Sequence, residues 1–431
     1  EPFLDIQKVK SEKGDIEAWL VEDHSLPVIS LQFAFKGAGS IRDNLDKQGT
    51  AQILSNTLDE GAGKLTSQEF QKQLSDHSIS LTFSSSRDNF GGQLKTLSRH
   101  QDKAFELLSL ALNKPRFDEE PVGRMRDANL SRIRRAMSQP DWIAARLFND
   151  IIYEGHPYAL NSGGTLSSLP KITTKDLKNF KQEWLTRDRL HIGVTGDITA
   201  KKLKEVIDQI FSDLPIATDK KLIADIEPKH DNKTYVYHKD IPQSIISIGM
   251  PTLDKNDPDY YTLQVMNFIF GSSGFGSRLM EEAREKRGLT YGIYSGLRLN
   301  DHANVMTISA STKNESAREI LDIVGDEMLN MRNAPVTKAE LEDAKSYLIG
   351  SLPLSLTSTD NIAGMLLGLQ LDERPADYLD HYEEKIQAVS AKDIQSLAKR
   401  LLNSENTTTI IVGKPENIEN TIARDTLPNV E

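Results

Sequence analysis

The 431-residue sequence contains no cysteine. Disulfides and thiolate metal sites are therefore excluded, and the composition fits the cytosol and the periplasm equally well. No two of the nine histidines lie three or four residues apart, so the helical histidine pair that binds zinc in many peptidases is missing as well. We expect this chain to bind no metal ion and no cofactor.

Long apolar runs and basic tracts are also missing. No segment approaches the ~20 apolar residues that a transmembrane helix needs. The 52 basic residues are outnumbered by 63 acidic ones, giving a net charge of −11, which argues against nucleic acid and favours basic or neutral peptides as partners. The first residue is not Met, so we expect that a signal peptide has been removed and that the protein is periplasmic or in the cell envelope; the cytoplasm is the open alternative.

The sequence contains a long internal repeat. Residues 173–196 align without a gap on residues 390–413, an offset of 217. The same offset carries residues 28–31 onto 245–248. Repeats of this length indicate duplicated domains, because solenoid units are about 20–50 residues long. We predict two homologous domains, 1–217 and 233–431, joined by a charged linker at 218–232.

Apolar periodicity places strands before runs of helices in the first half. This order predicts an α+β fold in which each domain is a largely antiparallel sheet with helices mostly on one face. Thr66 and Glu69 have the spacing of a capping box at a helix start. The predicted strands are 18–21, 28–35, 79–85, 90–94 and 189–194, and the predicted helices are 49–58, 66–74, 101–112, 121–137 and 174–184.

Residues 49–57, Gly-Thr-Ala-Gln-Ile-Leu-Ser-Asn-Thr, resemble the active-site helix of the pitrilysin or insulinase-type zinc metallopeptidases. The resemblance is to the two-domain class that includes the mitochondrial processing peptidase subunits, whose pattern is roughly Gly-x-Ala-His-x-x-Glu-His. The two His bind zinc and the Glu is the general base. Here those three positions hold Gln52, Ser55 and Asn56, which are poor zinc ligands and cannot accept a proton from water near neutral pH.

The third zinc ligand of the family, a Glu eight residues before a proline, corresponds to Arg132, counted back from Pro140. A guanidinium repels a cation. The resemblance therefore implies a non-catalytic member with no catalytic residues of its own, whose degenerate positions are Gln52, Ser55, Asn56 and Arg132.

The second half retains another family signature, Arg-x-x-x-x-x-x-Tyr, at Arg284 and Tyr291. In the family these side chains reach the metal-bound substrate, where a guanidinium and a phenol can donate to a carbonyl or an oxyanion. We expect Gly288 to end the helix that carries Arg284, and Tyr291 to begin a strand. The alternative is that Arg284 only favours a helix C-terminus and Tyr291 only suits a strand.

Three glycines, Gly271, Gly274 and Gly276, precede this signature. They do not form the dinucleotide-binding fingerprint, because they follow the helix-like segment 263–270 rather than a strand. We predict a flexible loop at the wall of a peptide chamber, similar to but shorter than the glycine-rich loop of the non-catalytic processing-peptidase subunit.

The family resemblance extends to His156-Pro-Tyr158 and to residues 193–197, and it implies a clam shell of two domains. Our first hypothesis is a non-catalytic subunit of a heterodimeric peptidase. Its homologous partner would carry His-x-x-Glu-His and the zinc, while this chain contributes Arg284, Tyr291 and surface for a peptide or unfolded polypeptide.

The second hypothesis is a peptide-binding or structural scaffold with no role in catalysis. The third is an enzyme of different chemistry. Ser55 beside Asn56 is too little for it, because no histidine lies nearby in the sequence to serve as a base.

Overall fold

The computed structural model describes residues 1–13, 15–217, 219–427 and 430–431. In the first half, the sequence elements follow the predicted order of strands and helices. These are β1 (Gln7–Lys10), β2 (Glu17–Glu22), β3 (Val28–Lys36), α1 (Thr50–Thr57), α2 (Ser67–Asp76), β4 (Ser80–Ser85), β5 (Asn89–Leu97), α3 (Gln101–Asn113), α4 (Glu119–Ala136), α5 (Pro140–Ile152), α6 (Thr174–Trp184), β6 (Leu190–Gly196) and α7 (Ala200–Phe211).

The second half repeats most of this order. Its elements are β7 (Thr234–His238), β8 (Gln243–Pro251), α8 (Tyr260–Asn267), α9 (Arg278–Met280), β9 (Ile293–Leu299), β10 (Asn304–Lys313), α10 (Ala317–Asn333), α11 (Lys338–Leu354), α12 (Thr359–Leu371), α13 (Tyr382–Gln387), α14 (Ala391–Leu401), β11 (Thr408–Gly413) and β12 (Thr421–Ala423). No helix in the described ranges is both long and apolar enough to cross a bilayer.

Each half contains one mixed sheet. Within the described residues, the strand orders are β1-β2-β6-β3-β5-β4 and β12-β7-β11-β8-β10-β9. The pairs β2–β6, β7–β11 and β7–β12 are parallel, and the other pairs are antiparallel. Five strands of each sheet therefore correspond in order, whereas the edge strands β1 and β12 differ in direction. The prediction of two α+β halves with largely antiparallel sheets is confirmed.

The repeat holds without a shift at the helix and strand near the end of each half, α6 with β6 and α14 with β11. Helices α6 and α14 begin and end 217 residues apart, and both begin with a capping box, from Thr173 and from Ser390. The match of residues 28–31 to residues 245–248 at this offset is wrong by two residues. Ser30 pairs with Thr195, whereas Val412, the counterpart of Thr195, pairs with Ile245. Ser30 therefore corresponds to Ile245, an offset of 215, and the shift of two keeps every side chain on its own face.

Each sheet is covered on its second face by a helix from the other half. Helix α12 lies on the first sheet, where the Ser30 hydroxyl donates to the Asp360 carboxylate at 2.5 Å and the Gln370 amide donates to the Ile192 carbonyl at 2.8 Å. Helix α5 lies on the second sheet, with the Phe148 ring against Gly249. The other helices pack mostly on one face, as predicted. A division of the chain between residues 217 and 233 would therefore separate each sheet from the helix that covers its second face.

The predicted linker is a packed connection. Its described residues, 219–232, contain no helix or strand. The backbone N–H of Ile226 donates to the His302 carbonyl at 2.8 Å, and Ile223 and Ile226 pack against an apolar cluster that includes α5.

Two helix starts in the first half differ in how well the sequence predicted them. The capping box predicted at Thr66 and Glu69 is present. Helix α5 was not predicted; Pro140 occupies its first turn, where a missing N–H costs nothing.

Candidate functional site

Helix α1 carries the residues at the first metal-ligand positions. It begins after Gly49, which has a φ of 98° that glycine adopts without steric cost. The Asp43 carboxylate accepts hydrogen bonds from the backbone N–H groups of Gly49 (2.8 Å) and Ala51 (3.0 Å). Burial raises the pKa of Asp43 to about 7. Asp43 thus holds the start of α1, a role that no local sequence pattern predicts.

The open side of α1 is narrow. Ala51, Ile53 and Leu54 are buried against the core of the first half, whereas Gln52 and Asn56 are half-buried. Residues four apart on a helix lie on the same side. Gln52 and Asn56 therefore share the face on which the family's two histidines would lie.

This face continues into helix α4 through a chain of side-chain hydrogen bonds. The Gln52 amide donates to the Asn56 oxygen at 3.5 Å, and the Asn129 amide donates to the same oxygen at 3.0 Å. The Arg132 guanidinium then donates to the Asn129 oxygen. The structure brings three of the four degenerate positions into one network, and Asn129 is the member that sequence reasoning missed. Its spacing of one helical turn before Arg132 could have placed it there.

Ser55, the fourth degenerate position, does not join the network. Its side chain is buried, and the hydroxyl donates to the Gln52 carbonyl at 2.7 Å within the helix. In the described part of the chain, no histidine hydrogen-bonds to this hydroxyl. A serine without a base is a weak nucleophile, so the third hypothesis gains no support.

These side chains do not fit a zinc ion. Amide groups are poor ligands for Zn²⁺, which prefers imidazole, thiolate and carboxylate. Arg132 adds a permanent positive charge to the site. Across the described ranges, no group of three or more His, Cys, Asp or Glu side chains is arranged to hold a metal. The donor set therefore disagrees with the metal chemistry that the helix otherwise resembles.

Arg284 and Tyr291 meet at a helix–turn–strand junction in the second half. The Arg284 guanidinium donates to the Tyr291 backbone carbonyl at 2.8 Å and lies 4.5 Å from the centre of the Phe275 ring. Tyr291 is 85% exposed, and its hydroxyl has no hydrogen-bond partner among the described residues. Gly288 has a φ of 60° after the helical turn. The strand begins at Ile293, so the prediction that Tyr291 begins it is wrong by two residues.

The three glycines before Arg284 have different environments. Gly271 is buried in the helical turn Phe268–Ser272, where a Cβ would lie 2.6 Å from the Ser295 hydroxyl. Gly271 is therefore a close-packing position and does not belong to a loop, which corrects the prediction for that residue. Gly274 and Gly276 lie in a short exposed turn that also carries Phe275, and a Cβ on Gly274 would contact nothing within 4 Å.

His156 and Tyr158 join the two halves. The Tyr158 hydroxyl donates to Asp88 and accepts a hydrogen bond from the His302 backbone N–H at 3.1 Å. A ring nitrogen of His156 lies 2.8 Å from the Ala224 carbonyl of the connection. Burial and the Asp88 carboxylate raise the pKa of Tyr158, so the phenol stays protonated and keeps its hydrogen bond. The His-Pro-Tyr segment is thus a structural joint.

The network on α1 and α4 and the Arg284–Tyr291 junction belong to different halves. In the parts of the chain that the structure describes, no hydrogen bond or ion pair joins the two groups.

Comparison with known proteins identifies the family of this chain. Residues 29–165 match the family Insulinase (Peptidase family M16), and residues 171–348 match the Peptidase M16 inactive domain. The chain belongs to the M16 peptidase family. Because the matched regions cover both halves and the metal-ligand positions are replaced, it is an inactive member that lacks catalytic activity.

Its relatives include other inactive M16 proteins. The chain is 27% identical over 384 residues to the non-peptidase homolog YmxG of Helicobacter pylori, covering 88% of this chain and 87% of the relative. It is 24% identical over 370 residues to the probable inactive metalloprotease YmfF of Bacillus subtilis, covering 80% and 84%. The crystal structure of a peptidase M16 inactive domain from Pseudomonas fluorescens superimposes with a TM-score of 0.87 at 26% identity, covering 98% of this chain and all of that one.

Proposed function

We propose that this chain is the non-catalytic subunit of a heterodimeric zinc peptidase. A homologous partner with His-x-x-Glu-His supplies the zinc and the general base, and this chain supplies Arg284 and Tyr291 to the peptide. The observation that carries the proposal is the contrast between the two sites. The metal positions are occupied by Gln52, Asn56 and Arg132. By contrast, the Tyr291 side chain is 85% exposed, and the Arg284 guanidinium is held at the backbone carbonyl of the same residue.

The chemistry of the junction supports this role. One guanidinium nitrogen of Arg284 donates to the Tyr291 carbonyl at 2.8 Å, and Nε lies 3.9 Å from a carboxylate oxygen of Glu285. The other terminal nitrogen and the Tyr291 hydroxyl have no hydrogen-bond partner among the described residues and can act as donors. Two such donors suit a peptide carbonyl and the oxyanion that develops on it during hydrolysis. The exposed ring of Phe275 next to Arg284 offers an apolar surface for a peptide side chain.

The sheet edge beside α1 supports binding of an extended peptide. Within the described residues β4 pairs only with β5, so its other edge is free, and α1 packs next to it. A free edge can accept a peptide strand through backbone hydrogen bonds. Its alternate residues Ser80, Thr82 and Ser84 are exposed and small, so they add little bulk on that face of the strand.

A scaffold without a catalytic role is the second candidate. It is favoured by the contacts that Arg284 makes within its own chain, to the Tyr291 carbonyl and the Phe275 ring, because these alone could account for an arginine at this place.

We further propose an envelope location for the complex. This proposal rests on the expectation that the chain is exported.

The test is peptide hydrolysis by the purified chain mixed with a His-x-x-Glu-His homologue from the same source. We expect activity only in the mixture, reduced about 10²- to 10³-fold by Arg284→Ala or Tyr291→Phe. Arg400→Ala and Tyr347→Phe, which change exposed residues of the same types elsewhere in the second half, should leave the activity unchanged. Unaltered activity with the Arg284 and Tyr291 variants would favour the scaffold.

A further inference from the structure

A cavity of about 550 Å³ lies between the two halves. Gly37 and Arg189, next to the ends of β3 and β6, line it on the side of the first half. Asn256 and Asn300, in the segments after β8 and β9, line it on the side of the second half, and Lys220 lines it from the connection. Small-molecule sites are frequent at such interfaces, and the proposed function gives this cavity no role.

Two arginines of the cavity are held against one buried tryptophan. The guanidinium carbons of Arg42 and Arg189 lie 4.2 Å and 4.9 Å from the centre of the Trp184 ring. Trp184 is 5% exposed. Arg42 also donates to the backbone carbonyls of Gly37 at 2.7 Å and Lys221 at 2.5 Å. Cation–π contacts and hydrogen bonds therefore fix these two groups in the absence of any ligand.

Gly37 leaves the space between the two guanidinium groups open. Its φ is 74°, which glycine adopts without steric cost. A Cβ at this position would lie 3.7 Å from Nη2 of Arg42 and 3.8 Å from Nη1 of Arg189. Neither nitrogen has a hydrogen-bond partner in the described part of the chain. One ligand group placed in this space would therefore contact both guanidinium groups.

The positive charges at this end of the cavity are not balanced. Among the described residues, no ion pair involves Arg42 or Arg189. Glu183, whose charge acts on Arg42, pairs with the Lys221 ammonium. The carboxylates that line the cavity interact with other groups: Glu373 with Lys36, Asp301 with Lys255, Asp188 with the Ala217 N–H and Asp254 with the Asn256 N–H. Burial and the charge of Arg189 lower the pKa of Arg42 to about 10, which an anion between the two groups would offset.

We propose that this end of the cavity binds a phosphate group, either as inorganic phosphate or as part of a small phosphorylated molecule. The planar fork of a guanidinium matches two phosphate oxygens, so Arg42 and Arg189 bind one phosphate together. The two negative charges of phosphate balance the two guanidinium charges. Lys220, which is exposed, adds a flexible ammonium. The amides of Asn256 and Asn300 offer donors and acceptors to the hydroxyl groups of a larger ligand.

Isothermal titration calorimetry of the intact chain with inorganic phosphate tests the site. We expect saturable binding of one phosphate per chain, which sodium chloride at the same ionic strength does not reproduce. Arg189→Gln should weaken binding at least about tenfold, because a charge-assisted contact is lost. The control Arg135→Gln changes an exposed arginine of α4 and should leave binding unchanged. Ribose 5-phosphate separates the two sources: tighter binding than that of inorganic phosphate identifies a phosphorylated molecule, and equal or weaker binding identifies the free ion.

Lys220→Glu guards against misfolding. Lys220 is exposed and belongs to no helix or strand, so thermal unfolding without phosphate should be unchanged. Phosphate affinity should nevertheless fall at least about threefold, because a negative charge replaces a positive one beside the anion. The proposal is overturned if phosphate gives no saturable heat, if chloride reproduces the heat, or if the wild type and both variants bind phosphate equally.

Discussion

The side-chain amide of Asn129 donates to the side-chain oxygen of Asn56, with 3.0 Å between the nitrogen and the oxygen. This bond connects α4 to α1 where the family's ligands would meet around zinc. The positions are therefore held together by hydrogen bonds among three side-chain amides and the Arg132 guanidinium. The scaffold of the site persists although its chemistry is lost.

Asn129→Ala tests how much this network contributes to the stability of the fold. Asn129 is 4% exposed; its amide also donates to the Met125 carbonyl at 2.8 Å, and its oxygen accepts from Arg132. We expect the free energy of unfolding to fall by about 1–3 kcal/mol, because buried partners are left unsatisfied. Urea denaturation measures it, with the exposed Asp127→Ala on the same helix as control. Equal losses for the two variants would show that the network stabilises nothing.

Asp43 predicts a pH dependence of stability. Its pKa is raised by burial from 3.8 to about 7 in the folded state, so between about pH 4 and pH 7 the folded chain binds more protons at this group than the unfolded chain. The contribution of Asp43 to stability therefore falls as the pH rises through that window.

Asp43→Asn removes this titration. We expect the stability of the variant relative to wild type to increase from pH 4 to pH 7 by more than about 1 kcal/mol, measured by urea denaturation at each pH. A difference that is constant with pH would contradict the assignment.

Gly193→Ala tests the exchange of helices between the halves. A Cβ at Gly193 would lie 2.4 Å from the Ala363 carbonyl of α12, so the helix must move off the sheet. We expect a loss of about 1–3 kcal/mol in thermal or urea unfolding. Gly368→Ala, on α12 itself with nothing within 4 Å of its Cβ, should instead stabilise by about 0.5–1 kcal/mol. A Gly193 variant as stable as wild type would refute the close contact.

The parts that the sequence predicted well are those set by local patterns. Helices α6 and α14 have capping boxes and strong apolar periodicity, so their bounds at residues 174–184 and their repeat at 391–401 could be read directly. The match of residues 28–31 to 245–248 was wrong by two residues, because apolar strands use few residue types and a shift of two preserves the alternation of faces.

The parts that escaped prediction depend on distant contacts. Asp43 and Asn129 act on α1 from outside its sequence. Nothing local to residues 359–371 indicates that α12 crosses to the first sheet. That no helix follows β11 in residues 414–427, where α7 follows β6, becomes visible only when the two sheets are compared strand by strand.

Zinc binding tests the central claim most directly. After dialysis against Zn²⁺ and then against metal-free buffer, metal analysis of the wild-type chain should find no bound zinc. A variant that restores the family pattern, Gln52→His, Ser55→Glu, Asn56→His and Arg132→Glu, should retain about one zinc per chain, because two imidazoles and a carboxylate then converge on the same scaffold. One zinc per wild-type chain would contradict the account.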